Sequence, residues 1–196
     1  MGSLSDAKVM GGIGAILVLL TGIPNFGWIL GIIGFVLILI AMKYISDAVQ
    51  DRKIFSDMMI SVALAIVAIA VAGIAVVAAV FSLLGLGTFT GDQFVINPNV
   101  QPGDWIGFAL SLIVPLVAIW ILFIVSAVFI RRSLEATKDK LNVRWFGTAG
   151  LIYLIGAITV IIGVGFLLII VAEVLLAIAF FSIQERRELD KPVQYA

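Results

Sequence analysis

Six apolar runs, at about 7–22, 28–46, 58–87, 105–130, 145–162 and 165–184, constrain this chain more than any motif in it. Each approaches or exceeds the ~20 residues that a helix needs to cross a bilayer core of roughly 30 Å. No water inside hydrocarbon satisfies backbone N–H and C=O groups, so a run that spans has to be helical. Composition agrees. Hydrophobic residues make up 63% of the 196 and charged residues 12%, where soluble domains carry roughly half and a quarter. The fold class expected is an all-α integral membrane protein of six transmembrane helices, with the lipid bilayer as its main partner.

What the chain lacks excludes several function classes. Net charge is zero and there is no basic tail, so nucleic acid is not an expected partner. Without Cys or His, disulfides, thiolate chemistry and the commonest general base, haem ligand and zinc ligand are all ruled out. No P-loop, GxGxxG, HExxH or serine–histidine constellation occurs. No enzyme activity, cofactor or metal site is expected. The start, MGSLSDAK, has no basic n-region and reads as an uncleaved first span.

Orientation follows from the cations. All twelve fall at one set of helix ends: Lys8; Lys43, Arg52 and Lys53; Arg131, Arg132, Lys138, Lys140 and Arg144; Arg186, Arg187 and Lys191. The alternate loops hold only Asp92 and Asp104. The positive-inside rule then makes this a multi-pass protein of the cell membrane with both termini cytoplasmic and loop 88–104 outside. Trp28 and Trp105 sit near the outer boundary, and Tyr44 and Trp145 near the inner one. That outer loop is acidic and punctuated by Gly and Pro, a solvated connector in which QFVIN reads as a short strand. The inner connector RRSLEATKDKLNVR is expected to continue helix four, with Arg131, Glu135 and Asp139 on one face.

Sliding the chain by 136 residues lays the first apolar pair on the last without a gap. Gly11, Gly14, Ile16, Gly27, Ile33, Leu39, Ala41 and Ser46 meet Gly147, Gly150, Ile152, Gly163, Ile169, Leu175, Ala177 and Ser182. The plan is a single transmembrane domain over 1–196: hairpin repeats at 7–46 and 145–184, related in parallel, flank a central pair at 58–130. A cytoplasmic tail, 185–196, follows. The stretch GGIGAILVLLTGIPNFGWILGIIGFVLILIAMKYISD followed by KIF resembles the N-terminal signature of a mainly archaeal membrane-protein family, domain of unknown function 996. The resemblance implies a small multispanning membrane protein and brings no activity, substrate or catalytic residue with it.

Small residues mark the expected packing surfaces. On helix three, Ala65, Ala68, Ala72, Ala75 and Ala79 recur at alternating spacings of three and four, with Ser61 and Ser82 at the ends. Such a stripe lets another backbone approach, within the monomer or across a homo-oligomer. Gly27 and Gly31 form a GxxxG at the start of helix two. Pro115 interrupts helix four, as a tolerated kink or a gating hinge.

Glu173 is the nearest thing to a functional clue. It falls close to the midplane of the last span, where a charge costs at least about 2.5–3.5 kcal/mol on insertion scales. No Lys or Arg shares its depth, so the resting form expected there is the neutral acid, whose O–H and C=O still need partners. Counting back equally from the Gly163 turn nominates Tyr153 as that partner, with Ser111 on helix four second. The residue at its repeat position is Leu37. Two functions follow. One is a non-enzymatic scaffold or assembly component, alone, as a homo-oligomer or in a larger complex, acting through lateral helix packing. The other is a small transporter or channel in which Glu173 binds or relays a proton or cation.

Overall fold

The computed structural model describes residues 3–90 and 92–184. The expected tail, with Arg186, Arg187 and Lys191, lies outside the described residues. Among those described the chain is all-α apart from one short hairpin. Six helices are long and apolar enough to cross a membrane: α1 (Leu4–Leu19, extended by a 3-10 turn Leu20–Gly22), α2 (Gly27–Ala48), α3 (Arg52–Leu86), α4 (Pro102–Leu141), α5 (Arg144–Thr159, with a 3-10 turn Val160–Ile162) and α6 (Val164–Phe181).

Helix ends depart from the apolar runs wherever a polar residue supplies a cap. α1 begins three residues before the run because Ser3 and Asp6 form a capping box. Ser3 N–H donates to Asp6 Oδ2 at 2.8 Å, and Asp6 N–H to Ser3 Oγ at 3.1 Å. This satisfies two of the amides that a helix start leaves open. α3 begins six residues early behind Asp51, whose Oδ1 accepts from Lys53 N–H at 3.1 Å. α4 begins at Pro102, a residue suited to the first helical position, and Asp104 Oδ2 accepts from Gln101 N–H at 2.8 Å. Asp104, read as a loop acid, is a capping residue.

The chain forms two compact units. Residues 61–126 make one: the body of α3, the first part of α4 and a hairpin between them. Its strands, β1 (Gly87–Thr90) and β2 (Gln93–Ile96), pair antiparallel with Gly87 opposite Ile96 and Thr90 opposite Gln93. Phe89 and Phe94 face each other across the ladder at 5.0 Å. β2 falls on the QFVIN segment; β1 occupies residues assigned by the sequence to the end of helix three and its loop. Within this unit Ser126 Oγ donates to Ser61 O at 3.1 Å.

The other unit holds the described residues up to 60 and from 127 onward. Its core gathers toward the basic ends of the helices, around Ala41, Met42, Ile45, Ile54, Leu134, Phe146 and Phe180. Phe146 and Phe180 meet edge-on at 5.2 Å. Buried hydroxyls tie the elements: Ser133 Oγ donates to Ile54 O at 2.7 Å, and Ser46 Oγ to Asp51 O at 2.8 Å. α4 does continue into the 131–144 connector, as far as Leu141, and the charges there make ion pairs. Glu135 pairs with Lys138, Arg132 reaches Asp57 at 3.7 Å, and Lys140 reaches Asp51 at 3.4 Å. The connector is fastened to the start of α3 rather than only to itself.

Candidate functional site

The last two helices are joined at Gly163, whose φ of 83° lies in the left-handed region that glycine adopts at little cost. Beside that turn the backbones of α5 and α6 nearly touch. A Cβ on Gly156 would stand 3.0 Å from Gly165 O, and one on Gly165 would collide with Gly156 O. Further along the two helices, Tyr153 on α5 and Ile169, Ile170 and Glu173 on α6 line a cavity of about 760 Å³. α1 and its 3-10 turn contribute Val18 and Thr21 to the lining, and α2 contributes Trp28, Gly31, Ile32 and Phe35. Met58, Ile130, Leu134 and Ala149 complete it near the core.

The lining is overwhelmingly apolar. Its polar side chains are Glu173, Tyr153, Thr21 and the indole of Trp28, and it contains no Lys or Arg. Thr21 Oγ1 is engaged, donating to Val18 O at 2.5 Å. Glu173 Oε2 is buried and has no hydrogen-bond partner among the described residues. Leaving a buried acceptor unsatisfied costs about 1–3 kcal/mol, and more when the group is charged. The cavity falls within the range of roughly 300–1,000 Å³ usual for small-molecule sites. Among the described residues no group of three or more His, Cys, Asp or Glu side chains is placed to hold a metal ion.

Glu173 and Tyr153 are therefore brought to one cavity wall. Ser111 is engaged elsewhere: it belongs to the 61–126 unit, and its hydroxyl donates to Phe108 O at 2.7 Å. There it lines a smaller apolar cleft of about 380 Å³ with Ala72, Ala75, Ala79 and Pro115. Those three alanines thus face α4 within the chain. Ala68 is half-buried, and Ala65, at the other end of the stripe, is exposed. Gly27 and Gly31 pack inside the first pair: a Cβ on either would strike Thr21, at its carbonyl for Gly27 and at Oγ1, 2.5 Å away, for Gly31.

Sequence reasoning missed the contribution of α1 and α2 to this cavity. Thr21, Trp28 and Phe35 carry no periodic or motif signal that ties them to Glu173. The only available hint was negative, an acid in an apolar run with no counter-charge.

Six helices long and apolar enough to cross a membrane, and an acid-bearing apolar cavity in the unit of residues up to 60 and from 127 onward, define a class, a multi-helix chain of membrane-protein character. The profile of the family described as "Protein of unknown function (DUF996)" matches residues 30–174, and the chain belongs to that family. It is similar to an uncharacterised protein of the archaeon Methanocaldococcus jannaschii, 34% identical over 182 residues that cover 93% of this chain and 94% of that one. No solved structure matches the chain.

Proposed function

We propose that this is a multi-pass membrane protein without enzymatic activity that binds a small, largely apolar molecule within the bilayer, as a carrier or receptor. The observation that carries the reading is the 760 Å³ apolar cavity with the partnerless oxygen of Glu173 in its lining. A water file would call for a polar lining; these walls suit an apolar body with one polar group. Both termini and the 47–57 and 131–144 connectors lie on the cytoplasmic side, and 88–104 lies outside, as the one-sided Lys and Arg distribution supports.

Two measurements test this. Because the chain has no native Cys, single cysteines report sidedness cleanly: Lys138→Cys is labelled only from the cytoplasmic side, and Thr88→Cys only from outside. A fluorescent apolar probe such as N-phenyl-1-naphthylamine binds the detergent-purified chain saturably, and Ile170→Trp, which fills the cavity, removes that binding. Glu173→Gln keeps shape and hydrogen bonding, so it inserts and folds normally. Probe uptake that is unsaturable, or equal in the Ile170→Trp chain, sinks the reading.

A second reading, a scaffold that joins copies or partners through lateral helix contacts, draws support from the 61–126 unit. There Ile66, Ile69, Ile74 and Phe81 on α3 are all more than 60% exposed, a face that lipid or another helix has to cover. Ile69→Cys crosslinking between copies at low protein-to-lipid ratio supports it; monomeric behaviour throughout removes it.

A further inference from the structure

We infer that the molecule held in this cavity is a lipophilic organic cation, an apolar body carrying one protonated or quaternary nitrogen that pairs with Glu173; the inference rests on the binding reading above. The polar content of the lining sets the choice. Among the described residues Glu173 is the only acid in the lining, its Oε2 is buried without a hydrogen-bond partner, and no Lys or Arg lines the cavity from any helix. A bound anion would find no counter-charge and would meet a carboxyl group. A bound cation would supply the missing partner, and a charge-assisted contact in a medium that excludes water is stronger than the same contact in water. If the carboxyl holds a proton when the cation arrives, that proton leaves to solvent, and the site gains no net charge.

The rest of the lining narrows the class. A bare metal ion is a poor fit, because Ca²⁺ takes roughly six to eight oxygen ligands and Mg²⁺ about six, whereas the cavity offers one carboxyl group in mostly aliphatic and aromatic surroundings. Trp28, Phe35, Tyr153 and Phe166 all line it. Aromatic faces attract cations through the ring quadrupole, most strongly where water is excluded, and they recognise quaternary ammonium groups especially well. Volume points the same way: about 760 Å³ admits a body of several rings, far more than an inorganic ion requires.

The test uses three tetraphenyl probes of nearly one shape: tetraphenylphosphonium, neutral tetraphenylsilane and tetraphenylborate. Each is titrated into the full chain in a nonionic detergent, with Ile170→Trp defining the cavity-dependent part. The phosphonium is expected to bind at least tenfold tighter than the other two, and Glu173→Gln is expected to erase that preference. Cavity-dependent binding of all three with equal affinity, or tighter binding of the borate, overturns the cation inference and leaves the cavity reading standing. No cavity-dependent binding of any probe overturns both. Should Glu173→Gln fail to fold, the ranking of the three probes on the unaltered chain decides the matter alone.

Discussion

The first and last helix pairs align without a gap at an offset of 136, yet they pack differently. In α1–α2 the backbones meet in mid-helix. A Cβ on Gly14 would stand 2.7 Å from Gly34 O and 3.0 Å from Leu37 Cβ, and one on Gly34 would stand 2.5 Å from Gly14 O and 2.8 Å from Leu17 Cβ. The four corresponding positions in α5–α6 are Gly150, Ile170, Tyr153 and Glu173. Ile170 leaves no room for a backbone. Gly150 faces α4 instead, where an added Cβ would lie 3.2 Å from Arg131 Cα, and the close crossing moves to Gly156 and Gly165 beside the turn. Tyr153, Ile170 and Glu173 then line the cavity. Where the glycines fall decides where two helices touch, and the residues left off the crossing become available to line a site.

The largest effect that would break this comparison is expected at Gly14. A leucine there drives a side chain into the α2 backbone, which a close-packed seam accommodates poorly, and a loss of about 3 kcal/mol is expected. Thermal unfolding in detergent measures it; a melting temperature unchanged from the parent chain would mean that the mid-helix crossing does not hold the pair together. Next comes the variant that puts at position 173 the residue found at its counterpart Leu37, Glu173→Leu. Removing a buried polar group that lacks full hydrogen bonding is expected to raise stability by about 1–3 kcal/mol while abolishing cation preference. If Glu173→Leu were less stable, the carboxyl would be a structural fastening and the two pairs would differ less than their chemistry suggests.

α3–α4 tests whether alanines act as the glycines do. Ala72 lines the cleft toward α4, whereas Ile69 is 71% exposed. Ala72→Leu is therefore expected to cost about 1–2 kcal/mol by overpacking, and Ile69→Leu to be nearly silent. Equal melting temperatures would place Ala72 outside any seam. The smallest effect concerns how the pairs begin. α1 has the Ser3–Asp6 capping box, while Val143, at the start of α5, offers no side-chain cap. Ser3→Ala makes the two starts alike and is expected to cost about 1 kcal/mol or slightly less, seen as faster amide exchange in the first turn of α1 alone. Unchanged exchange there would mean that the cap contributes little.

Particular residues mark what the sequence told in advance. The six apolar runs are six helices because a bilayer-length apolar segment has one way to satisfy its backbone. Equal counts to Gly163 put Tyr153 and Glu173 at one depth, and both line one cavity, but Oε2 of Glu173 has no hydrogen-bond partner among the described residues. Helix ends were misplaced wherever a single polar side chain overruled hydropathy, as at Ser3, Asp51 and Asp104. The partners of Arg132 and Lys140 could not be read from i, i+4 spacing, which sees only one helix. Asp57 and Asp51, which they meet, lie some 75 and 89 residues away in sequence.

The sequence alone determined class, helix number, charge asymmetry and family, all of which follow from composition and from contacts a few residues apart. Tertiary structure alone decided that α1 and α2 help to line the Glu173 cavity and that Ser111, Ala72, Ala75 and Ala79 line a different cleft. It also decided that Oε2 of Glu173 lacks a hydrogen-bond partner among the described residues. Apolar side chains are nearly interchangeable as carriers of hydrophobicity, so their order along the chain does not reveal which of them meet. That is settled by where small residues allow backbones to approach and where bulky ones prevent it.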